Sequence, residues 1–156
     1  MRLAIATLSL TIIADQASKW VVIGQMALDQ RLFIEIWPPY LNFAMAWNRG
    51  VNFGLLASDS PVTRWALIAL AVVISAWVWL WARREAHNRG MQLAAGLLVG
   101  GAMGNVIDRL RYGAVADFIN MSCCGIRNPF AFNIADAAIF AGALLLIVFA
   151  GRKPAR

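Results

Sequence analysis

Four apolar stretches, at about residues 3–23, 62–82, 91–107 and 133–150, dominate this 156-residue chain. Each approaches the roughly 20 residues that cross a hydrocarbon core of about 30 Å. Lipid offers a backbone no hydrogen-bond partners, so such stretches fold as helices. The intervening segments, residues 24–61 and 108–132, are too short to bury a core of their own. An all-α membrane protein with four transmembrane helices, forming a single membrane-embedded domain over residues 1–156, is therefore expected. With 61% hydrophobic and 14% charged residues, the chain is too apolar for ordinary soluble usage.

A cleaved signal peptide is the other reading of the first stretch. It runs into Asp15-Gln16-Ala17-Ser18-Lys19 and resumes as Trp20-Val21-Val22-Ile23, with no small-residue cleavage site, which favours an uncleaved span. Arg2, the Arg83/Arg84/Arg89 turn and the Arg152/Lys153/Arg156 tail concentrate basic residues in short segments, which places both termini in the cytoplasm. The net charge of +6 then reads as a topology signal, with no basic stripe of the kind that binds nucleic acid. Trp77, Trp79 and Trp81 at one end of the second span, and Trp65 near the other, fit interfacial anchoring.

Ionisable residues inside a membrane are costly, so each invites a functional hypothesis. Asp15 and Lys19 stand one turn apart on the first helix in the favourable order for an ion pair, which does not exclude a role in a site. In the third span Gly96, Gly100 and Gly104 form a small-residue stripe that admits a close helix neighbour. The stripe leads to Gly101, Asn105, Asp108 and Arg109. Asp108 reads either as an anchor for the helix end or as a chemical group, and Arg109 also suits a phosphate headgroup.

Asp117 lies mid-way along Ala114-Val115-Ala116-Asp117-Phe118-Ile119-Asn120, without a basic neighbour. Burial there would raise its pKa and make it an acid near neutral pH, whereas an exposed loop would leave it ordinary. Asn133 and Asp136 open the last span with the spacing of an N-cap and its capping-box partner. The topology nevertheless brings Asp15, Asn105, Asp108, Asp117 and Asp136 to one outer membrane level, gathering four of the chain's eight acids.

Between the first two spans, large residues Leu41, Phe43, Met45 and Trp47 alternate with smaller ones, the period of a half-buried strand. Residues 31–37 would pair with it across Pro38-Pro39, making a small extracytoplasmic β-cradle. Asn48-Arg49-Gly50-Val51-Asn52-Phe53-Gly54 follows, read either as a plain loop or as a turn-rich stretch suited to backbone contacts with an extended peptide. The single histidine, His87, falls in the cytoplasmic turn, so no metal cluster and no histidine-based triad is available at the outer surface. Cys123 and Cys124 receive no role.

The same residues bear on three other activities. A transporter or channel would need a continuous polar track, and the middle and cytoplasmic halves of the spans carry almost no ionisable residue. A Ser18/Lys19 peptidase is disfavoured because adjacent helical side chains project about 100° apart. A lipid-binding scaffold would need neither Asp117 nor Asp136.

The five segments Asp15–Lys19, Asn48–Gly54, Gly100–Arg109, Val115–Phe118 and Phe132–Asp136, in this order on a four-span frame, resemble those of the lipoprotein signal peptidase (signal peptidase II) family of bacterial inner membranes. The resemblance implies an aspartic endopeptidase with Asp117 and Asp136 as its catalytic pair and no metal or cofactor. The implied substrate is a prolipoprotein whose Cys already carries diacylglycerol, cut just before that Cys. Asp15, Lys19, Asn48, Gly101, Asn105, Asp108, Arg109 and Asn133 would surround the pair or the substrate. A monomer working at the periplasmic face, in contact with membrane lipid, is expected. Asn52 stands where many members carry a small residue, a difference that would tune contacts rather than chemistry.

Overall fold

The computed structural model describes residues 1–50, 61–123 and 128–150. Asn52, Cys124 and the basic tail Arg152/Lys153/Arg156 lie outside the described residues. Helix α1 spans Arg2–Lys19 and continues as a π-helical turn over Trp20–Gln25. A short helix α2, Leu28–Arg31, precedes strands β1, Phe33–Trp37, and β2, Leu41–Asn48. Helices α3, Pro61–Arg84, and α4, Arg89–Tyr112, form a hairpin, followed by strand β3, Val115–Met121, and helix α5, Ile134–Ala150.

The molecule is mostly helical with one small antiparallel sheet, ordered β1-β2-β3. Helices α3 and α4 are each long and apolar enough to cross a membrane, and α5 is a shorter apolar helix. Helix α4 is mostly buried and α3 mostly exposed, which makes α4 the hub of the bundle. Its Asn88 N-cap accepts from the Met91 amide, and left-handed Gly113, with φ 79°, ends it.

The expected small-residue stripe packs against α1. A Cβ added at Gly96 would collide with Ala4 and Thr7, one at Gly100 with Leu8 and Thr11, and one at Gly104 with the Asp15 carboxylate. The order of these contacts shows α1 and α4 running in the same direction. Gly101, one residue round the helix, faces α5, where a Cβ would overlap the Ala135 carbonyl. Two neighbouring helices therefore approach α4 at van der Waals distance on adjacent faces.

Away from the sheet, Val78, Ala82, Met91, Ala95, Leu98 and Leu146 join α3, α4 and α5 in one apolar cluster. Trp79 and Trp81, partly buried, pack on that cluster, whereas Trp77 and Trp65 stand out at 63% and 56% exposure. A second cluster of Val22, Leu28 and Phe118, with Ile34, Phe43 and Ile119 against it, seats the sheet on the end of α1.

Strands β1 and β2 pair as an antiparallel hairpin across Pro38-Pro39, as expected, and the structure sets its register at Phe33↔Ala44 and Glu35↔Asn42. Its first strand starts later than the sequence suggests, because Arg31 belongs to α2 and Leu32 turns left-handed at φ 63°. The third strand is a finding of the structure: β3 pairs along β2 through Asn42↔Asn120, Ala46↔Asp117 and Asn48↔Val115. Its other edge bonds to Phe132, which carries the chain directly to the start of α5.

Gly101→Val is expected to lower the thermal unfolding midpoint in detergent, since overpacking against the Ala135 backbone costs about 1–3 kcal/mol. Gly24→Ala, where a Cβ would meet only Trp20 at 4.0 Å, should leave the midpoint where it is. Equal midpoints for both variants would contradict the packing described.

Candidate active site

Two fully buried carboxylates, Asp15 on α1 and Asp108 on α4, face each other at the sheet end of the bundle. Lys19 sits between them, with Nζ 2.8 Å from Asp15 Oδ2 and 2.7 Å from Asp108 Oδ2. Gln16 adds a neutral bridge, as its Nε2 donates to Asp15 Oδ2 and Asp108 Oδ1, both at 3.0 Å. Gly104 makes room for this cluster by having no side chain where the Asp15 carboxylate lies.

The carboxylates reach further, to two backbone amides. Asp108 Oδ2 accepts from the Ala116 amide at 3.1 Å, and Asp15 Oδ1 accepts from the Ala135 amide at 3.1 Å. Ala116 precedes Asp117 and Ala135 precedes Asp136. One buried ion cluster thus fixes the backbone just ahead of both remaining acids, on β3 and on α5.

Asn133 then ties those acids together. Its Nδ2 donates to Asp117 Oδ1 at 2.7 Å, its backbone amide donates to Asp136 Oδ2 at 3.4 Å, and its Oδ1 accepts from the Asp136 amide at 2.8 Å. The capping box is present, and the same asparagine reaches across to β3. Asn105 of α4 donates to Asp136 Oδ1 at 2.8 Å, and Asn48 at the end of β2 donates to Asp117 Oδ2 at 3.0 Å. Arg109 Nη2 donates to the Gly50 carbonyl at 2.9 Å, and its charge lies within electrostatic reach of Asp136, Asp117 and Asp108.

Asp117 is 3% exposed. Burial, and after it the neighbouring charge of Asp136, pushes its carboxyl up to about 7. Hydrogen bonds from Asn48 and Asn133 and the positive charge of Lys19 oppose that rise. A carboxyl poised there exchanges its proton near neutral pH, as a general acid or base requires.

All ten residues singled out from the sequence fall within this one region. Asp15, Lys19, Asn48, Asn105, Asp108, Asp117, Asn133 and Asp136 form a continuous hydrogen-bonded network. Gly101 contributes close backbone approach, one residue before Asp136, rather than a polar contact. Ser18 Oγ donates to the Asp15 carbonyl at 2.7 Å while Lys19 is held by two carboxylates, so neither is placed as a nucleophile or free base.

Sequence reasoning missed Gln16, whose bridging position follows from its place beside Asp15. It also missed Asn120, whose Nδ2 donates to the Asn128 and Phe130 carbonyls at 2.8 Å and steers the chain toward Asn133. No local pattern marks that role.

Fold and site together define a helical membrane protein with two buried aspartates, joined by one asparagine, at the end of its bundle. The sequence profile of signal peptidase (SPase) II matches residues 7–151. The lipoprotein signal peptidase of Methylobacterium radiotolerans is 41% identical over 149 residues, covering 94% of this chain and 84% of its own. That of Burkholderia multivorans is 39% identical over 138 residues, covering 88% and 81%. A solved structure described as a bacterial membrane enzyme superposes with a TM-score of 0.81 at 27% identity, covering 100% of this chain and 94% of that one. A second bacterial membrane enzyme superposes with a TM-score of 0.80 at 28% identity, covering 98% and 95%. The chain belongs to the signal peptidase II family, a family of peptidases.

Lys19→Met should lower the unfolding midpoint strongly, because it strands two buried carboxylates, a loss of about 3–5 kcal/mol. Neutralising the acids as well, in Asp15→Asn/Lys19→Met/Asp108→Asn, should restore part of it. A Lys19→Met protein that unfolds like the wild type would show that the cluster carries no such weight.

Proposed function

We propose that this protein is an aspartic endopeptidase of the bacterial inner membrane that removes the signal peptide from diacylglyceryl-modified prolipoproteins, cutting just before the lipid-bearing Cys. The observation that carries the proposal is the Asn133 bridge between two buried carboxyl groups, Asp117 and Asp136. Family membership and the relatives' shared description as lipoprotein signal peptidases supply the substrate class.

Asp117 and Asp136 are assigned as the catalytic pair. Two carboxyls in one buried site cannot both ionise cheaply, so they hold one proton between them. The ionised member takes a proton from a water as that water attacks the scissile carbonyl carbon. The protonated member gives its proton to the carbonyl oxygen. Collapse of the resulting diol breaks the peptide bond, and the leaving α-amine of the Cys receives a proton from the pair. Which acid starts protonated is a property of the coupled pair.

The supporting roles follow from the contacts. Asn48, Asn105 and Asn133 orient the pair with amide donors. Asp15, Lys19 and Asp108 hold the backbone beside it, Gly101 lets α5 approach, and Arg109 ties α4 to the turn at Gly50. The membrane arrangement proposed has α1, α3, α4 and α5 as four spans of a single domain, with both termini in the cytoplasm. The sheet forms the cradle at the periplasmic surface, and the unit is a monomer that needs no cofactor. At that surface the acyl chains stay in hydrocarbon while the peptide meets the acids.

Purified wild type should cut a diacylglyceryl-modified prolipoprotein, and its unlipidated precursor should be a poor substrate. Asp117→Asn and Asp136→Asn, each folded, should lose at least about a hundredfold in rate, the scale of acid–base catalysis. Near-normal turnover by either variant would remove that residue from the pair.

A further inference from the structure

The last turn of α4 carries positive charge that the peptidase site does not use. Arg109 turns toward Gly50 and the aspartates, but Arg111 is exposed, 5.1 Å from the ring centre of Tyr112. Arg64, in the first turn of α3, crosses to the same place. Its Nη2 donates to the Leu110 carbonyl at 3.1 Å, and its Nη1 lies 3.8 Å from where a Cβ on Gly113 would sit. Its guanidinium is also 5.4 Å from the ring centre of Trp65. Among the described residues, no carboxylate pairs with Arg64 or Arg111.

The surroundings are apolar and open. Trp47, Trp65, Leu110 and Tyr112 are each at least 41% exposed, and the Trp47 and Tyr112 rings lie 5.4 Å apart. Guanidinium groups with no carboxylate partner among the described residues suit an anion with several acceptor oxygens. A small anion would satisfy them and leave the aromatic rim in water. A neutral lipid would cover the rim and leave the arginines unmatched. A phospholipid does both, with its phosphate on the arginines and its upper chains against Trp65 and Leu110.

We propose that Arg64 and Arg111, where α3 meets the end of α4, hold the phosphate of a membrane phospholipid beside the peptidase site. The diacylglyceryl group of the substrate has no phosphate, so this ligand is a resident lipid distinct from the substrate. The inference rests on the proposed membrane placement of this end of the bundle.

Native mass spectrometry of the detergent-purified full chain tests it, with phosphatidylglycerol, dioleoylglycerol and inorganic phosphate as probes. Wild type should retain phosphatidylglycerol in preference to dioleoylglycerol. Arg64→Gln/Arg111→Gln should weaken that retention about tenfold, the effect of losing charge-assisted contacts. Arg83→Gln/Arg84→Gln, at the far end of α3, should leave it unchanged. Arg111→Gln alone alters only an exposed side chain, and weakened retention there serves as the test if the double variant does not fold. The proposal is overturned if wild type shows no preference for phosphatidylglycerol, or if the Arg83/Arg84 pair matters as much as Arg64/Arg111. Displacement of phosphatidylglycerol by equimolar inorganic phosphate would overturn it as well, by pointing to a free-anion site. Cleavage by the same samples separates the two readings: lipid preference absent with cleavage intact would leave the peptidase standing without this site.

Discussion

Lys19 places one ammonium group between the buried carboxylates of Asp15 and Asp108, at 2.8 and 2.7 Å. Desolvating three charges is expensive, and close mutual contact with further hydrogen bonds is what makes it tolerable. Those further bonds are the reason the cluster matters. The carboxylate oxygens take in the backbone amides of Ala116 and Ala135, so an interaction between α1 and α4 dictates where β3 and α5 begin their approach to each other. Such a cluster is weak as a source of net stability and strong as a geometric reference, because any displacement leaves a buried charge unmatched.

The acids it positions differ in their supports. Asp136 is held at the start of α5 by Asn105 and by the capping exchange with Asn133. Asp117 is held on β3 by side chains from two other elements, Asn48 and Asn133. All these donors are amides. They favour the charged carboxylate without adding positive charge, so burial still prevails and the Asp117 proton stays exchangeable near neutral pH. An arginine or lysine in place of Asn48 would defeat that balance. The net is an acid pair held in position by amides and adjustable in proton content, which suits the acid–base role proposed for it.

Much of this was legible in the sequence, for identifiable reasons. Long apolar stretches are compositional signals, and the Gly96/Gly100/Gly104 stripe reports a helix contact by spacing alone; α1 occupies it. The gathering of the acids followed once the ends of the stretches were placed. Strand β3 was not legible, because nearly all its residues are buried and two-residue alternation never shows. The π-helical turn after Lys19 and the burial of Asn42 likewise depend on tertiary packing. Gln16 and Asn120 act through partners about 90 and about 10 residues distant in sequence, beyond the range of local pattern.

The most direct test of a single-proton aspartate pair is the pH dependence of kcat/KM for cleavage of a diacylglyceryl-modified prolipoprotein, in wild type and in Asn48→Ala. A bell-shaped profile is predicted, because activity requires one acid ionised and the other not, with the descending limb of the wild type reporting the upper titration of the pair, near the about 7 to which Asp117 is pushed. Asn48 donates to the charged form of Asp117, so its removal should move that limb to higher pH. A wild-type rate that stays flat from about pH 5 to about pH 9 would contradict the shared-proton pair.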